Sequence, residues 1–221
     1  MRSPFVLAGL PLTSFFTSDA FESLIAGNKD FAQRTKRREP ELFERLSKGQ
    51  SPEILWVGCA DSRVPETTVC DCKPGEIFVH RNIANVVTTK DTGANSVLDF
   101  SVGAIKVKKI VVCGHTACGG ANAALSDDDL GDNLNTWLSP VRELRRKHAA
   151  ELERFDNQDA KANRLAEINV LHSIDAIKHN PTVIKAMKER GLTVHGVIYD
   201  IRTGQLRLLE EKKEIAPTVH R

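Results

Sequence analysis

The sequence predicts an α/β fold: a central, mostly parallel β-sheet flanked by helices, with an N-terminal helical arm and a C-terminal antiparallel edge strand. Three observations carry this prediction. From residue 54 onward, short apolar runs alternate with longer stretches of helical spacing, a pattern that requires crossover connections between parallel strands. Before residue 50 the spacing is helical, with no strand signal. Near the end, Thr203-Gly204 separates two β-like runs, as a hairpin turn would.

The elements follow in order. Asp19 or Ser18 is positioned to cap a first helix carrying Phe21, Leu24, Ile25 and Phe31 on one face. A second helix over residues 40–48 has Pro40 near its first turn and stops at Gly49. Four buried strands are expected at residues 54–58 (ILWVG), 77–80 (IFVH), 110–113 (IVVC) and 194–199 (VHGVIY). Helices are expected at 94–107, marked by Val97, Leu98 and Ile105, and at 160–177, marked by Leu165, Ile168 and Leu171. No repeat, low-complexity tract or linker divides the chain, so residues 19–221 are expected to form one domain behind a flexible N-terminus at 1–18.

Composition narrows the function classes. The 221 residues include 31 basic and 29 acidic ones, and 41% are hydrophobic. A domain of this length buries roughly 70% of its unfolded surface and needs no disulfide staple. The net charge of +2 makes no electrostatic case for nucleic acid. No apolar run approaches the ~18 to 20 residues of a membrane span. The five cysteines are odd in number and point to a reducing compartment, the cytoplasm. The first 18 residues carry one Arg, several Ser/Thr and no acid, which keeps a mitochondrial location as the alternative.

Chemistry concentrates in two clusters, each directly after an apolar strand. Cys59-Ala60-Asp61-Ser62-Arg63 follows the first, and His115-Thr116-Ala117-Cys118-Gly119-Gly120 follows the third. In a parallel sheet both would lie at the carboxyl edge, where ligands collect. If the two strands are neighbours, joined by the 94–107 helix, Cys59, His115 and Cys118 converge. Two thiolates and one imidazole are a zinc set with the fourth tetrahedral position open. Gly114, Gly119 and Gly120 would let the backbone turn tightly around a metal. The alternative stays open on these residues alone, since cysteines after apolar strands are often small buried hydrophobes. Asp61 and Arg63 favour chemistry, because an Arg fork can lock a carboxylate beside the open position. Cys113 reads as core, and Cys70 and Cys72 have no assignable role. The basic stretches 34–38 and 142–147 read as solvated helix faces.

Together, CADSRVPE at 59–66 and GHTACGG at 114–120 resemble the β-class carbonic anhydrases. Further matches are GNKDF at 27–31, PGEIFVHRNIAN at 74–85 and GVIYDIRTGQL at 196–206. The resemblance implies reversible hydration of carbon dioxide to bicarbonate and a proton by zinc-bound hydroxide, with one Zn2+ per subunit. It implies Cys59, His115 and Cys118 as ligands and Asp61 with Arg63 as the catalytic dyad. It also implies Gln50 as a substrate hydrogen-bonding residue, with Phe78, Ile83 and Phe100 as apolar walls. Phe100 stands where many members have a tyrosine contributed across a dimer interface. The expected assembly is a homodimer or homotetramer. Two rivals keep the same metal centre: a hydrolase of carbon disulfide or carbonyl sulfide, and a zinc-stabilised binding or redox-sensing protein in which Asp61 closes the fourth position.

Overall fold

The computed structural model describes residues 19–209. Residues 1–18, expected as a flexible N-terminus, lie outside that range. The chain divides into two compact units, Met1–Gly49 and Gln50–Arg221.

In the first unit, helix α1 spans Ala20–Arg38 and α2 spans Leu42–Ser47. The Asp19 carboxylate caps α1, accepting from the N–H groups of Phe21 and Glu22. Glu22 in the first turn and Lys36, Arg37 and Arg38 in the last complement the helix dipole. Helix α1 buries none of its residues. Phe21 and Leu24 are 69% and 65% exposed. Phe31 meets Phe43 edge to face, with ring centroids 6.3 Å apart. Pro40 stands ahead of α2, not in its first turn, and Gly49 follows with φ +149°.

The second unit runs β1 (Ile54–Cys59), α3 (Glu66–Val69), β2 (Ile77–Asn82), α4 (Thr92–Leu98), a π-helical segment (Asp99–Ile105) and β3 (Lys109–His115). It continues through α5 (Gly119–Ala123), α6 (Asp132–Lys147), α7 (Ala149–Leu152), α8 (Gln158–Lys178), α9 (Pro181–Arg190), β4 (Thr193–Asp200) and β5 (Gln205–Leu209). The sheet order is β2-β1-β3-β4-β5, with the first four strands parallel and β5 antiparallel to β4. Both the parallel sheet and the closing hairpin of the sequence reading are present. The turn into β5 places Gly204 at φ +71°, a conformation glycine takes without a Cβ clash.

Three details differ from the sequence expectation. The helix expected at 94–107 widens into π-helical turns after Leu98 and ends on Lys106 at φ +69°. That helix connects β2 to β3, crossing over β1, so the neighbouring β1 and β3 are not its two ends. Of α6 the sequence expectation holds only the basic face at 142–147, and α9 has no counterpart in it, although its punctuation is clear: Asn180 caps it, Pro181 opens it, and Gly191 closes it at φ +68°.

One core layer packs Leu55, Val57, Ile110 and Val112 of the sheet against Leu98, Val102, Ile177 and Val183. A second layer joins Cys59 and Cys118 to Leu138, Val141, Leu165 and Ile168 of α6 and α8. Gly114 lets α8 lie close to the sheet, because an added Cβ would come within 2.8 Å of Val170 and 2.9 Å of Ile198. Ile110 is fully buried at the centre of the sheet. Ile110→Ala is expected to destabilise the fold by about 2–5 kcal/mol in denaturant unfolding, from lost transfer energy plus the cavity left behind.

Candidate metal centre

Adjacent strands β1 and β3 end at the same edge of the sheet, Cys59 closing one and His115 the other. Cys118 follows at the N-cap of α5. The ligand atoms of Cys59, His115 and Cys118 all lie within 4.8 Å of one another, and all three residues are buried. At metal–ligand lengths of ~2.0–2.3 Å, tetrahedral donors stand roughly 4 Å or less apart, so small side-chain shifts suffice to close on an ion.

The turn between His115 and Cys118 is tightened by Ala117 at φ +53°, a left-handed conformation costing a non-glycine residue on the order of 1–3 kcal/mol. Gly114, Gly119 and Gly120 do not supply the turn, since none of them has positive φ. Gly114 and Gly120 instead permit close approach, with Ala84 Cβ 2.9 Å from where a Cβ on Gly120 would be. Nothing in the structure explains Gly119. Several bonds hold the strained turn. The Ala117 N–H donates to Asn163 Oδ1 on α8 at 2.8 Å, and the Ala117 carbonyl accepts from Arg63 Nη2 at 3.1 Å. Thr116 N–H donates to the Tyr199 carbonyl at 3.0 Å, and Thr116 Oγ1 accepts from Ile201 N–H at 3.1 Å.

The His115 ring meets the Thr116 carbonyl through Nδ1 at 2.9 Å. That bond assigns the ring proton to Nδ1 and leaves Nε2 as the lone-pair donor, an arrangement common to metal-binding imidazoles. Nε2 is buried and has no hydrogen-bond partner among the described residues. A buried polar atom left this way is costly unless a ligand satisfies it. The thiols divide. The neighbouring Cys118 thiol, together with His115, pulls the Cys59 thiol well below its ordinary range. The same neighbour, with burial, pushes Cys118 up. Two packed thiolates repel, and a divalent cation between them would offset that repulsion. The donor set therefore fits a thiophilic divalent metal such as zinc.

Asp61 stands beside this cluster, its Oδ2 3.9 Å from His115 Nε2. Arg63 grips the carboxylate with Nε on Oδ1 at 2.9 Å and Nη2 on Oδ2 at 2.7 Å, and its own N–H adds a third bond at 2.9 Å. The guanidinium holds the Asp61 carboxyl well below the usual carboxylate range. From β2, Arg81 reaches across to the carbonyls of Cys59 at 2.9 Å and Asp61 at 2.6 Å, fixing the end of β1. Glu66 lies 3.7 Å from its guanidinium.

The other predicted residues surround the centre less tightly. Phe78 on β2 packs against Phe100 with ring centroids 5.9 Å apart. Ile83 and Phe100 are 45% and 53% exposed, and Gln50 is exposed at the start of its unit. Cys113 is buried, and burial pushes its thiol up to about 12. Cys70 and Cys72 are half-buried and belong to no metal-ligating group among the described residues. Asn163 escaped the sequence reading, because it lies 46 residues from the turn it holds and no local pattern marks it.

The family model described as carbonic anhydrase matches residues 54–206, which include all three candidate ligands and the Asp61–Arg63 pair. The chain belongs to the carbonic anhydrases. A carbonic anhydrase of Emericella nidulans is 41% identical over 193 residues, covering 87% of this chain and 84% of its own. Among solved structures, the β-carbonic anhydrase CafA of Aspergillus fumigatus superposes with a TM-score of 0.85 at 47% identity, covering 87% of this chain and 91% of that one. A tetrameric β-carbonic anhydrase of Sordaria macrospora superposes with a TM-score of 0.85 at 44% identity, covering 86% and 97%. The fold of this β-class carbonic anhydrase is thus shared along most of the chain.

The three candidate ligands and the neighbouring Cys113 separate by experiment. Cys59→Ser, His115→Ala and Cys118→Ser are each expected to cut the zinc retained after desalting from about one per chain to a small fraction, as three donors fall to two or a softer ligand is lost. Cys113→Ala should retain it in full. Metal analysis by plasma emission reads all four variants.

Proposed function

We propose that this β-carbonic anhydrase carries out the zinc-dependent, reversible hydration of carbon dioxide to bicarbonate and a proton, with Cys59, His115 and Cys118 holding one Zn2+ per subunit. The observation that carries the reading is the buried, unpartnered Nε2 of His115 among two thiols, with a carboxylate 3.9 Å away that a guanidinium holds by both oxygens. When bound, zinc supplies a Lewis acid that makes a water acidic enough to ionise near neutral pH.

The protein's own groups do the rest. Asp61 stays ionised beside Arg63 and accepts a hydrogen bond from the nucleophilic oxygen, aiming its lone pair. Arg63 orients Asp61 through both carboxylate oxygens and would keep it from binding a metal itself. Phe78, Ile83 and Phe100 offer apolar surface to carbon dioxide, a neutral molecule that gains little from polar contacts. Gln50 is assigned to a hydrogen bond with the substrate oxygen. The catalytic domain is taken as residues 19–221.

Self-association, as a homodimer or homotetramer, is part of this reading. Phe21 and Leu24 of α1 are largely exposed, Phe100 is more than half exposed, and the Sordaria relatives are described as tetrameric. The five free thiols support a reducing compartment, and we place the protein in the cytoplasm, with the mitochondrion as the alternative. No helix among the described residues is long and apolar enough to cross a membrane.

A stopped-flow carbon dioxide hydration assay tests the function. The zinc-loaded wild type should be active, chelation should abolish the activity, and zinc should restore it. Asp61→Asn should lower kcat/KM by roughly 10²-fold or more at unchanged zinc content, since an amide cannot replace the hydrogen-bond-accepting carboxylate. Sulfide release from carbonyl sulfide without carbon dioxide hydration would favour the hydrolase instead, and a zinc-loaded wild type inactive in both assays would favour a binding or sensing role. Sedimentation at micromolar concentration should give the mass of two or four chains, and a monomer would refute the assembly.

A further inference from the structure

The segment after β2 is the most strained stretch of backbone near the metal centre. Ala84 at φ +60° and Asn85 at φ +47° are consecutive left-handed residues, neither of them glycine, and both are buried. Every carbonyl from Ile83 to Val86 is fastened by a side chain. Trp137 Nε1 on α6 donates to the Ile83 carbonyl at 2.9 Å, and Asn169 Nδ2 on α8 donates to the Ala84 carbonyl at 2.7 Å. Ser173 Oγ donates to the Asn85 carbonyl at 3.2 Å, and Asn82 Nδ2 donates to the Val86 carbonyl at 2.9 Å. The N–H groups return the favour, Val86 donating to Asn82 Oδ1 at 2.8 Å and Val87 to Ser173 Oγ at 3.3 Å.

What this strained segment presents is Ile83. Its Cγ2 would lie 3.2 Å from a Cβ on Gly120, two residues from the ligand Cys118, and Ala84 Cβ would lie 2.9 Å from the same point. A relaxed backbone at Ala84 would carry Ile83 away from that contact. Backbone strain persists only where surrounding structure over-determines it, and here four side chains from three elements do so.

We propose that Asn169, seconded by Trp137, is a positioning residue for the reaction: by holding Ala84 in the left-handed conformation it keeps Ile83 seated against the Cys118–Gly120 turn as the apolar wall of the substrate site. Asn169 is 3% exposed and 85 residues from the carbonyl it holds. It acts through the backbone of the segment. The inference rests on the proposed carbon dioxide hydration, and its test separates the two.

The test is a double-mutant cycle between Asn169→Ala and Ala84→Gly, because glycine takes a left-handed conformation without needing the bond. In zinc-loaded proteins of equal metal content, Asn169→Ala should lower kcat/KM about tenfold in the wild-type background, as expected when a positioning contact is lost, and less than about threefold in the Ala84→Gly background. Amide hydrogen exchange at Val86 and Val87 should speed up about tenfold with Asn169→Ala alone, a readout that needs no catalytic activity. Equal losses in the two backgrounds, or an Asn169→Ala enzyme within about twofold of wild type, would overturn the proposal. Should Asn169→Ala fail to fold, Trp137→Phe takes its place in the same cycle, with a loss of about threefold expected in the wild-type background and none in the other. If the wild type hydrates no carbon dioxide, the functional reading falls, and unchanged exchange at Val86 and Val87 would still refute the positioning role.

Discussion

The parallel pairing of β1 with β3 is the constraint on which the centre depends. Because the strands run the same way side by side, the residues that end them leave the sheet at one edge, and Cys59 meets His115 there across 56 residues of chain. An antiparallel arrangement would separate them by the length of a strand. Once the two loops share an edge, the remaining task is to hold each loop still, and most of the polar side chains around the site are committed to it.

Hydrogen bonds from side chains to backbone do much of that holding, beside the packing of the second core layer. Arg81 secures the carbonyls of Cys59 and Asp61, Asn163 and Arg63 secure Ala117, and Asn169, Trp137 and Ser173 secure the segment from Ile83 to Asn85. Three left-handed non-glycine residues, Ala84, Asn85 and Ala117, lie in these loops. Helix α8 contributes Asn163, Asn169 and Ser173, one to each of those three positions. A helix already buried against the sheet is a rigid mount for such bonds, and strain stored in the loops is sustained by it.

The electrostatics of the centre follow a similar division of labour. Arg63 lies at the surface and spends its fork on Asp61, so the carboxylate remains ionised and oriented. The thiols, by contrast, are buried side by side, a setting that lowers Cys59 and raises Cys118 and so favours one thiolate over two.

Much of this was legible in the chain itself. Alternating apolar runs and helical spacings specified a parallel sheet, and Thr203-Gly204 announced the closing hairpin, because hydrophobic period and turn chemistry are local properties. The two clusters after strands one and three were visible for the same reason, since ligand type and spacing are written in consecutive residues. Tertiary structure alone decided that the helix after β2 crosses over β1, that Ala117 and not a glycine makes the turn between His115 and Cys118, and that Gly114 and Gly120 serve close packing. It also decided the partners of the strained carbonyls. Asn169 sits on the buried face of α8, 85 residues from Ala84, and nothing in either neighbourhood encodes their meeting; only the packing of α8 against the sheet brings the donor to that carbonyl.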